Sequence, residues 1–558
     1  MADIGYATLT LALIFAIYSA IASVIGARRG NHRLAASARN GSIAVLIFFT
    51  LAIEIMLYSL ITDNFGINLV ASHSSKDLPL LYKFTALYSD KAGSLMFWGW
   101  LISIFTVILI IPKHSVAESA RSYALSILSV TLVFFLILVT VVLNVFEKPA
   151  LLLPDGHGLN PALQNPGMLI HPPLLFLGYA GFAIVFAFAL SVLISRSTHS
   201  GWIGQIRQWA LFAWCTLGLS NLVGAWWAHD NGAWGGYWVW DPVENASLMP
   251  WLLGTAFLHS IAMQRKRSYL KTWSMVLIVF TFAFTLLSPF ITHGGIESPL
   301  HGFDNSPVPP YILSFIIVVL AGSLSFIVLR RKQLQDDEKP LSFVSREGAF
   351  LLTNIVLALI VLLIFLGTII PGIAQAISDR EVIIERSFFD RTAGPALLIL
   401  VLLMGVCPLL GWRRSSIGML RHNFVYPALV SSAMAIAVLI SGIGNWYAIA
   451  ALVCGFPFFT IIQEWFRGTK TRHRTQGEYY LKAFLFLIWG NRPRYGGFTV
   501  HLGIILITVG VIGSSLHSND ALINAMWAGG GIMLLGGIIA FWPQKRYFAN
   551  TKLNPREI

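Results

Sequence analysis

Charge is scarce in this chain. Only 11% of its 558 residues are Asp, Glu, Lys or Arg, where a soluble protein carries roughly 25%. With 56% hydrophobic residues, that shortage excludes a chain solvated mainly by water. Cysteine is scarcer still. Cys215, Cys407 and Cys454 are the only three; all lie in apolar runs and none forms a C-x-x-C pair. This excludes a disulfide framework and a dithiol redox centre of the chain's own. Strict apolar–polar alternation is missing too, which excludes a membrane β-barrel. The apolar runs lack the chains of buried Lys and Glu that an ion path requires. Internal repeats and low-complexity linkers are absent.

What is present is a succession of apolar runs near 20 residues, long enough to cross a bilayer as helices. They fall at 5–27, 40–62, 94–112, 122–145, 172–195, 208–228, 248–264, 272–291, 310–329, 349–370, 394–412, 423–442, 446–461, 498–515 and 525–543. The expected fold is all-α: a polytopic membrane helical bundle of about fifteen crossings, forming one integral membrane domain over 1–558. No basic stretch precedes the first run, and Arg28 and Arg29 follow it, the reverse of a cleaved signal peptide.

The net charge of +13 follows this topology. Taking alternate connections as cytoplasmic places 31 of the 38 Lys and Arg residues there, as the positive-inside rule requires. The N-terminus is then outside and the C-terminus inside, and no nucleic-acid surface is needed. The other connections carry Trp, His, Pro and Gly, so chemistry is expected to face outward. Among these is 371–393; the largest inward connection is 462–497, expected to be a solvated cytoplasmic loop.

One stretch stands out: WGGYWVWDPVENASLMPW, residues 234–251. With Trp226 and Trp227 just upstream, it holds a third of the chain's 18 tryptophans. Each alone fits the interfacial belt of a membrane protein, but a belt is spread over many helix ends. Gly235 and Gly236 let the backbone approach a guest closely. Asp241-Pro242-Val243-Glu244 reads as an N-cap, a proline at the first helical position and a capping-box glutamate. A structured aromatic platform over 226–251 suits an extended planar macrocycle.

Two of the fourteen histidines, His259 and His501, lie inside apolar runs. Ionisable groups within a membrane mark function, although one such histidine can simply bond a neighbouring helix. His259 stands six residues before Arg265 and His501 seven after Arg494. At 1.5 Å per residue both rings lie about 9–10 Å from the inner boundary. Thr255 and Ala256, and then Gly497, clear the turn before each ring, an arrangement suited to axial ligation of haem iron. At the outer edge, His171 opens a helix whose first turn holds Pro172 and Pro173, and His301 lies in an outward loop. His229 and His293 compete with them.

These residues resemble the CcmF/NrfE family of cytochrome c maturation proteins. WGGYWVWDPVENASLMPW, with HPPLLFLGY before it and LLGTAFLHS after it, carries the likeness. It extends through GARRGNHRLAASAR, LVASHSSKDLPLLYKF, AGSLMFW and PGMLIHPPLLF to SFFDRTAGP and RYGGFTVHLG. The tryptophan-rich signature is shared with the wider haem-handling family that includes CcmC and CcsA. The resemblance implies a cytochrome c haem lyase of the bacterial cytoplasmic membrane, with its active site facing the periplasm. A resident haem b would be held by His259 and His501. Substrate haem, delivered by a CcmE-like chaperone, would dock on Trp226, Trp227, Trp234, Gly235, Gly236, Tyr237, Trp238, Trp240 and Asp241, with His171 and His301 as its axial ligands. CcmH/CcmI-like subunits would present the C-x-x-C-H segment of apocytochrome c, whose thiols add to the haem vinyls. Quinol would feed haem b, which keeps the substrate iron ferrous. A haem transporter or chaperone without ligation activity is the alternative.

Arg391, in FFDR, is a candidate partner for a haem propionate. Three features depart from the family pattern. Residues 516–524 form only a short loop where many members carry a large outward domain. His293 stands where relatives often have Arg, and Ala92 stands where an acidic residue is frequent.

Overall fold

The computed structural model describes residues 1–110, 118–196, 202–232, 235–296, 306–336, 342–378, 382–516 and 520–542. The described residues are built from helices with no β-strand. In chain order the helices are α1 (Ala2–Arg29), α2 (His32–Ile61), α3 (Asn68–His73), α4 (Leu80–Ser89), α5 (Lys91–Ile110) and α6 (Glu118–Ile137). Then come α7 (Pro166–Ser195), α8 (Trp202–Asn231), α9 (Pro242–Arg267), α10 (Lys271–Phe290), α11 (Pro309–Leu329) and α12 (Arg346–Ser378). The last six are α13 (Arg386–Leu409), α14 (Ile417–Ile440), α15 (Asn445–Gln476), α16 (Tyr480–Gly490), α17 (Arg492–Leu516) and α18 (Asp520–Phe541). All but α3, α4 and α16 are long and apolar enough to cross a membrane, giving 15 candidate spans among the described residues.

The chain forms two compact units. One comprises Met1–Pro340 with Phe350–Leu397, the other Leu341–Ala349 with Leu398–Ile558. Uniformly apolar sequence carries no composition shift to mark such a division.

In the first unit α7 is the central helix. Its most apolar 18-residue stretch is 83% buried, against 17% for α11, so α11 lies at the rim. Gly178 and Gly181 bring α7 onto α8: an added Cβ would sit 2.8 Å from the Leu217 and Ala213 Cβ atoms. Close approach through small residues is how membrane helices gain packing without a hydrophobic driving force. Trp98 of α5, fully buried, packs edge-on against Phe135 at 4.6 Å and tilted against Tyr179 at 5.3 Å.

In the second unit α17 and α18 form the tightest pair. Gly496, Gly503 and Gly510 face the backbone of α18, and a Cβ on Gly503 would lie 2.5 Å from the Met533 nitrogen. His501 is two residues from Gly503, about 200° around the helix, and so points away from α18. The expected loop over 462–497 is mostly helical, because α15 runs on to Gln476 and α16 follows at once. Glu478, between them, takes a bidentate pair from Arg472 at 2.6 and 3.1 Å. That guanidinium holds the Glu478 carboxyl below the usual carboxylate range. The expected outer loop 371–393 is likewise shortened from both ends, by α12 and α13.

Candidate functional site

The tryptophan-rich stretch is built at the junction of α8 and α9. Gly235 (φ 78°) and Gly236 (φ 138°) occupy backbone conformations that only glycine takes without strain. Trp240 does so as well, at φ 63°, and a bulky residue persists there only when its surroundings hold it. They do. The Glu244 carboxylate accepts from the Val239 and Asp241 amides at 2.9 and 3.2 Å, and Asn245 Nδ2 donates to the Trp240 carbonyl at 2.9 Å. The Trp240 indole stacks on Phe389 at 5.2 Å with 10° between planes, and its Nε1 donates to Asp390 Oδ1 at 3.0 Å. Asn245 also donates to Thr368 Oγ1 of α12 at 3.0 Å.

The local reading of Asp241-Pro242-Val243-Glu244 thus describes the helix start: cap, proline and capping box are all present. Replacing Glu244 by alanine leaves two amides without their acceptor. The expected result is a lower midpoint of thermal unfolding, by about 1–2 kcal/mol of helix-start stability, with earlier proteolysis of 235–241.

The described tryptophans of the stretch belong to different elements. Trp226 and Trp227 belong to the last turns of α8, and Trp251 lies within α9, stacked on Trp214 at 5.3 Å. Trp227 is buried; a Cβ on Gly167 would collide with its ring. Trp238 and Trp240 stand edge to face at 6.0 Å and 90°, making a corner rather than a plane. Tyr237 is half-buried beside them. Trp234 lies outside the described residues, as does His301.

His171 sits near Trp227, ring centroids 6.1 Å apart. Helix α7 starts at Pro166, capped by Asn165, so His171 falls in the second turn and Pro172 and Pro173 lie inside the helix. The asparagine cap, six residues earlier than the prolines suggest, sets that start. His171 Nδ1 faces the Ser220 carbonyl at 2.9 Å, which fixes it as the donor and puts the ring lone pair on Nε2. Gly224, one turn on, makes room: a Cβ there would lie 2.8 Å from the ring.

His259, in the first unit, is oriented in the same way. Its Nδ1 donates to the Thr255 carbonyl at 2.8 Å, again placing the ring lone pair on Nε2. Thr255 is itself held, because Trp214 Nε1 donates to its hydroxyl at 2.7 Å. The neighbouring Ala256 is fully buried. Phe350 lies 5.6 Å from the imidazole. His501 belongs to the second unit, and beside it Gly497 does clear space: a Cβ there would meet nothing within 4 Å. His171 and His259, each with Nδ1 on a backbone carbonyl, have the tautomer of an ordinary axial ligand of haem.

Two competitors resolve differently. His293 is buried with Nδ1 on the Pro289 carbonyl at 2.8 Å and Nε2 facing the Lys91 carbonyl at 3.3 Å. Both nitrogens address backbone oxygens, so His293 is not offered to iron. His229 is exposed at the end of α8. Arg391 is exposed as well; from its FFDR run it is Phe389 and Asp390 that reach Trp240. No sequence spacing links positions 150 residues apart, although the run itself was recognisable as special.

Residues 88–296 match the model of a family described as "Cytochrome C assembly protein". The chain is 32% identical over 525 residues to the cytochrome c-type biogenesis protein CcmF of Pseudomonas fluorescens, covering 93% of this chain and 77% of that one. The chain belongs to the CcmF family. The CcmF of Escherichia coli K12 is 31% identical over 531 residues, covering 93% of this chain and 78% of its own length. A solved structure titled "Cytochrome c Heme Lyase CcmF" superposes with a TM-score of 0.79, at 23% identity, over 97% of this chain and 98% of that one. The CcmF fold therefore extends across both compact units, each of which carries one of the two intramembrane histidines.

Proposed function

We propose that this CcmF-family protein is a cytochrome c haem lyase of the bacterial cytoplasmic membrane, with the platform end facing outward. The observation that carries the proposal is His171: an imidazole oriented by the Ser220 carbonyl, seated on Gly224, beside Trp227 at the tryptophan-rich junction. His171 binds the iron of substrate haem, with His301 proposed as the second axial ligand. Trp238 and Trp240, fixed by Phe389 and Asp390, cover part of the porphyrin; a buried aromatic side chain contributes 150–250 Å² of contact. Trp226, Trp234, Tyr237 and the two glycines are proposed to complete the surface, with buried Trp227 backing His171 and Asp241 capping α9 behind it, and Arg391 is proposed for a propionate.

The two thiols of a C-x-x-C-H segment then add across the two vinyl groups. In each addition an S–C bond forms, the vinyl π bond is lost and the thiol proton ends on carbon, so the step is redox-neutral. Holding the two reactants together is the chain's main contribution, worth up to about 7–11 kcal/mol. His259 and His501 would hold haem b, which when bound supplies a one-electron couple fed by quinol. The chain has no thiol pair, so reduced thiols come from partners: a CcmE-like chaperone brings haem, and CcmH/CcmI-like subunits bring the apocytochrome.

The test is reconstitution of the full chain in liposomes with haem-loaded chaperone and a reduced C-x-x-C-H polypeptide. Covalent haem on the polypeptide, surviving acid extraction, is the expected result. Haem transfer that never becomes covalent would identify a carrier instead.

A further inference from the structure

Helix α2 buries one face. Phe49, Ala52, Ile53, Met56 and Leu60 are covered there, where α2 packs on α1, α4 and α5. Its opposite face is open. Ile47, Leu51, Glu54, Tyr58 and Ile61 are all exposed. Between Ile43 and Ile61 the only residue with a formal charge is Glu54. It lies seven residues from the C-terminal end of the helix, about 10 Å along the axis. Among the described residues its carboxylate has no hydrogen bond or ion pair.

An ionisable side chain within a bilayer ordinarily faces the protein interior or a water-filled cavity and finds a partner. Glu54 faces outward at hydrocarbon depth, and a glutamate is too short to carry its head about 10 Å to the interface. The spacing of the open residues, four–three–four–three, is that of a helix-packing seam. The face therefore has the register of a helix–helix contact and a charge that lipid does not match.

We infer that this face of α2 receives a transmembrane helix of a separate membrane protein, which presents a lysine or arginine to Glu54. Charge complementarity selects this occupant. A second copy docked on the same face across a two-fold axis would bring Glu54 near its own image, and like charges repel. Tyr58, one turn on, offers an aromatic ring to the same cation. The inference does not depend on the haem reading.

The experiment uses the full chain, donor-labelled in liposomes, with acceptor-labelled synthetic polyleucine transmembrane peptides. One peptide carries a single lysine at the depth of Glu54; the other is leucine throughout. Energy transfer is expected to show the lysine peptide binding roughly tenfold more tightly, and Glu54→Gln to remove that preference. Glu54→Lys should transfer the preference to a peptide carrying glutamate, which distinguishes a lost charge pair from a misfolded variant. Equal binding of the two peptides by the wild type would overturn the inference. So would a wild-type dimer in liposomes that Glu54→Gln dissociates, since the occupant would then be a second copy.

Discussion

His171→Ala abolishes covalent haem attachment while the b-type absorption of the purified chain is unchanged. That result is expected because His171 lies near the tryptophan-rich junction whereas haem b is assigned to His259 and His501. The loss should exceed the 10–100-fold typical of removing a residue that merely orients a metal ligand. The surroundings supply two controls. Ser220→Ala should have a smaller effect: it keeps the backbone carbonyl 2.9 Å from Nδ1 but removes the hydroxyl, which lies 3.1 Å from Nδ1 and donates to the His171 carbonyl at 3.0 Å. Gly224→Val should reproduce much of the histidine defect without touching the ligand, since its Cβ lies 2.8 Å from where the ring sits. Attachment assays on the three variants separate ligation from general damage. Full attachment by His171→Ala would remove it from the mechanism.

His259→Ala and His501→Ala are each expected to eliminate the reduced-minus-oxidised b-type spectrum. One imidazole cannot provide bis-histidine ligation, and with Nδ1 of His259 committed to the Thr255 carbonyl, coordination depends on Nε2 alone. Trp214→Phe removes the hydrogen bond to the Thr255 hydroxyl and should weaken haem retention by about tenfold at most. The readouts are the optical spectrum and haem content per chain. An unchanged spectrum in both alanine variants would remove haem b from this pair. Thermal unfolding of the apo-proteins distinguishes lost ligation from lost fold.

The parts of the molecule legible in its sequence are those set by local physics. Bilayer thickness fixes the length of an apolar run, so the crossings are readable one by one. The start of α9 is readable because cap, proline and glutamate lie within four residues. The start of α7 is misread because Pro172 and Pro173 imitate a first turn, while Asn165 supplies the cap.

Tertiary partners leave no such trace. Trp240 depends on Phe389 and Asp390, and His171 on the carbonyl and hydroxyl of Ser220 in α8, partners that no local spacing links. The gathering of six tryptophans into one stretch suggests a single surface; that Trp227 is buried and that Trp251 stacks on Trp214 are tertiary facts its spacing does not carry. Glu54 is plain in the sequence, but only burial shows that it faces outward.

The glycine contacts between α17 and α18 have a consequence for loading. Backbone meets backbone there with no side chain to yield, so a turn of α17 about its axis would drive side chains into α18. The imidazole of residue 501 is mounted on a fixed post. With haem b bound at His501 as proposed, Gly503→Val is expected to impair cofactor insertion without altering a ligand, its Cβ falling 2.5 Å from the Met533 nitrogen.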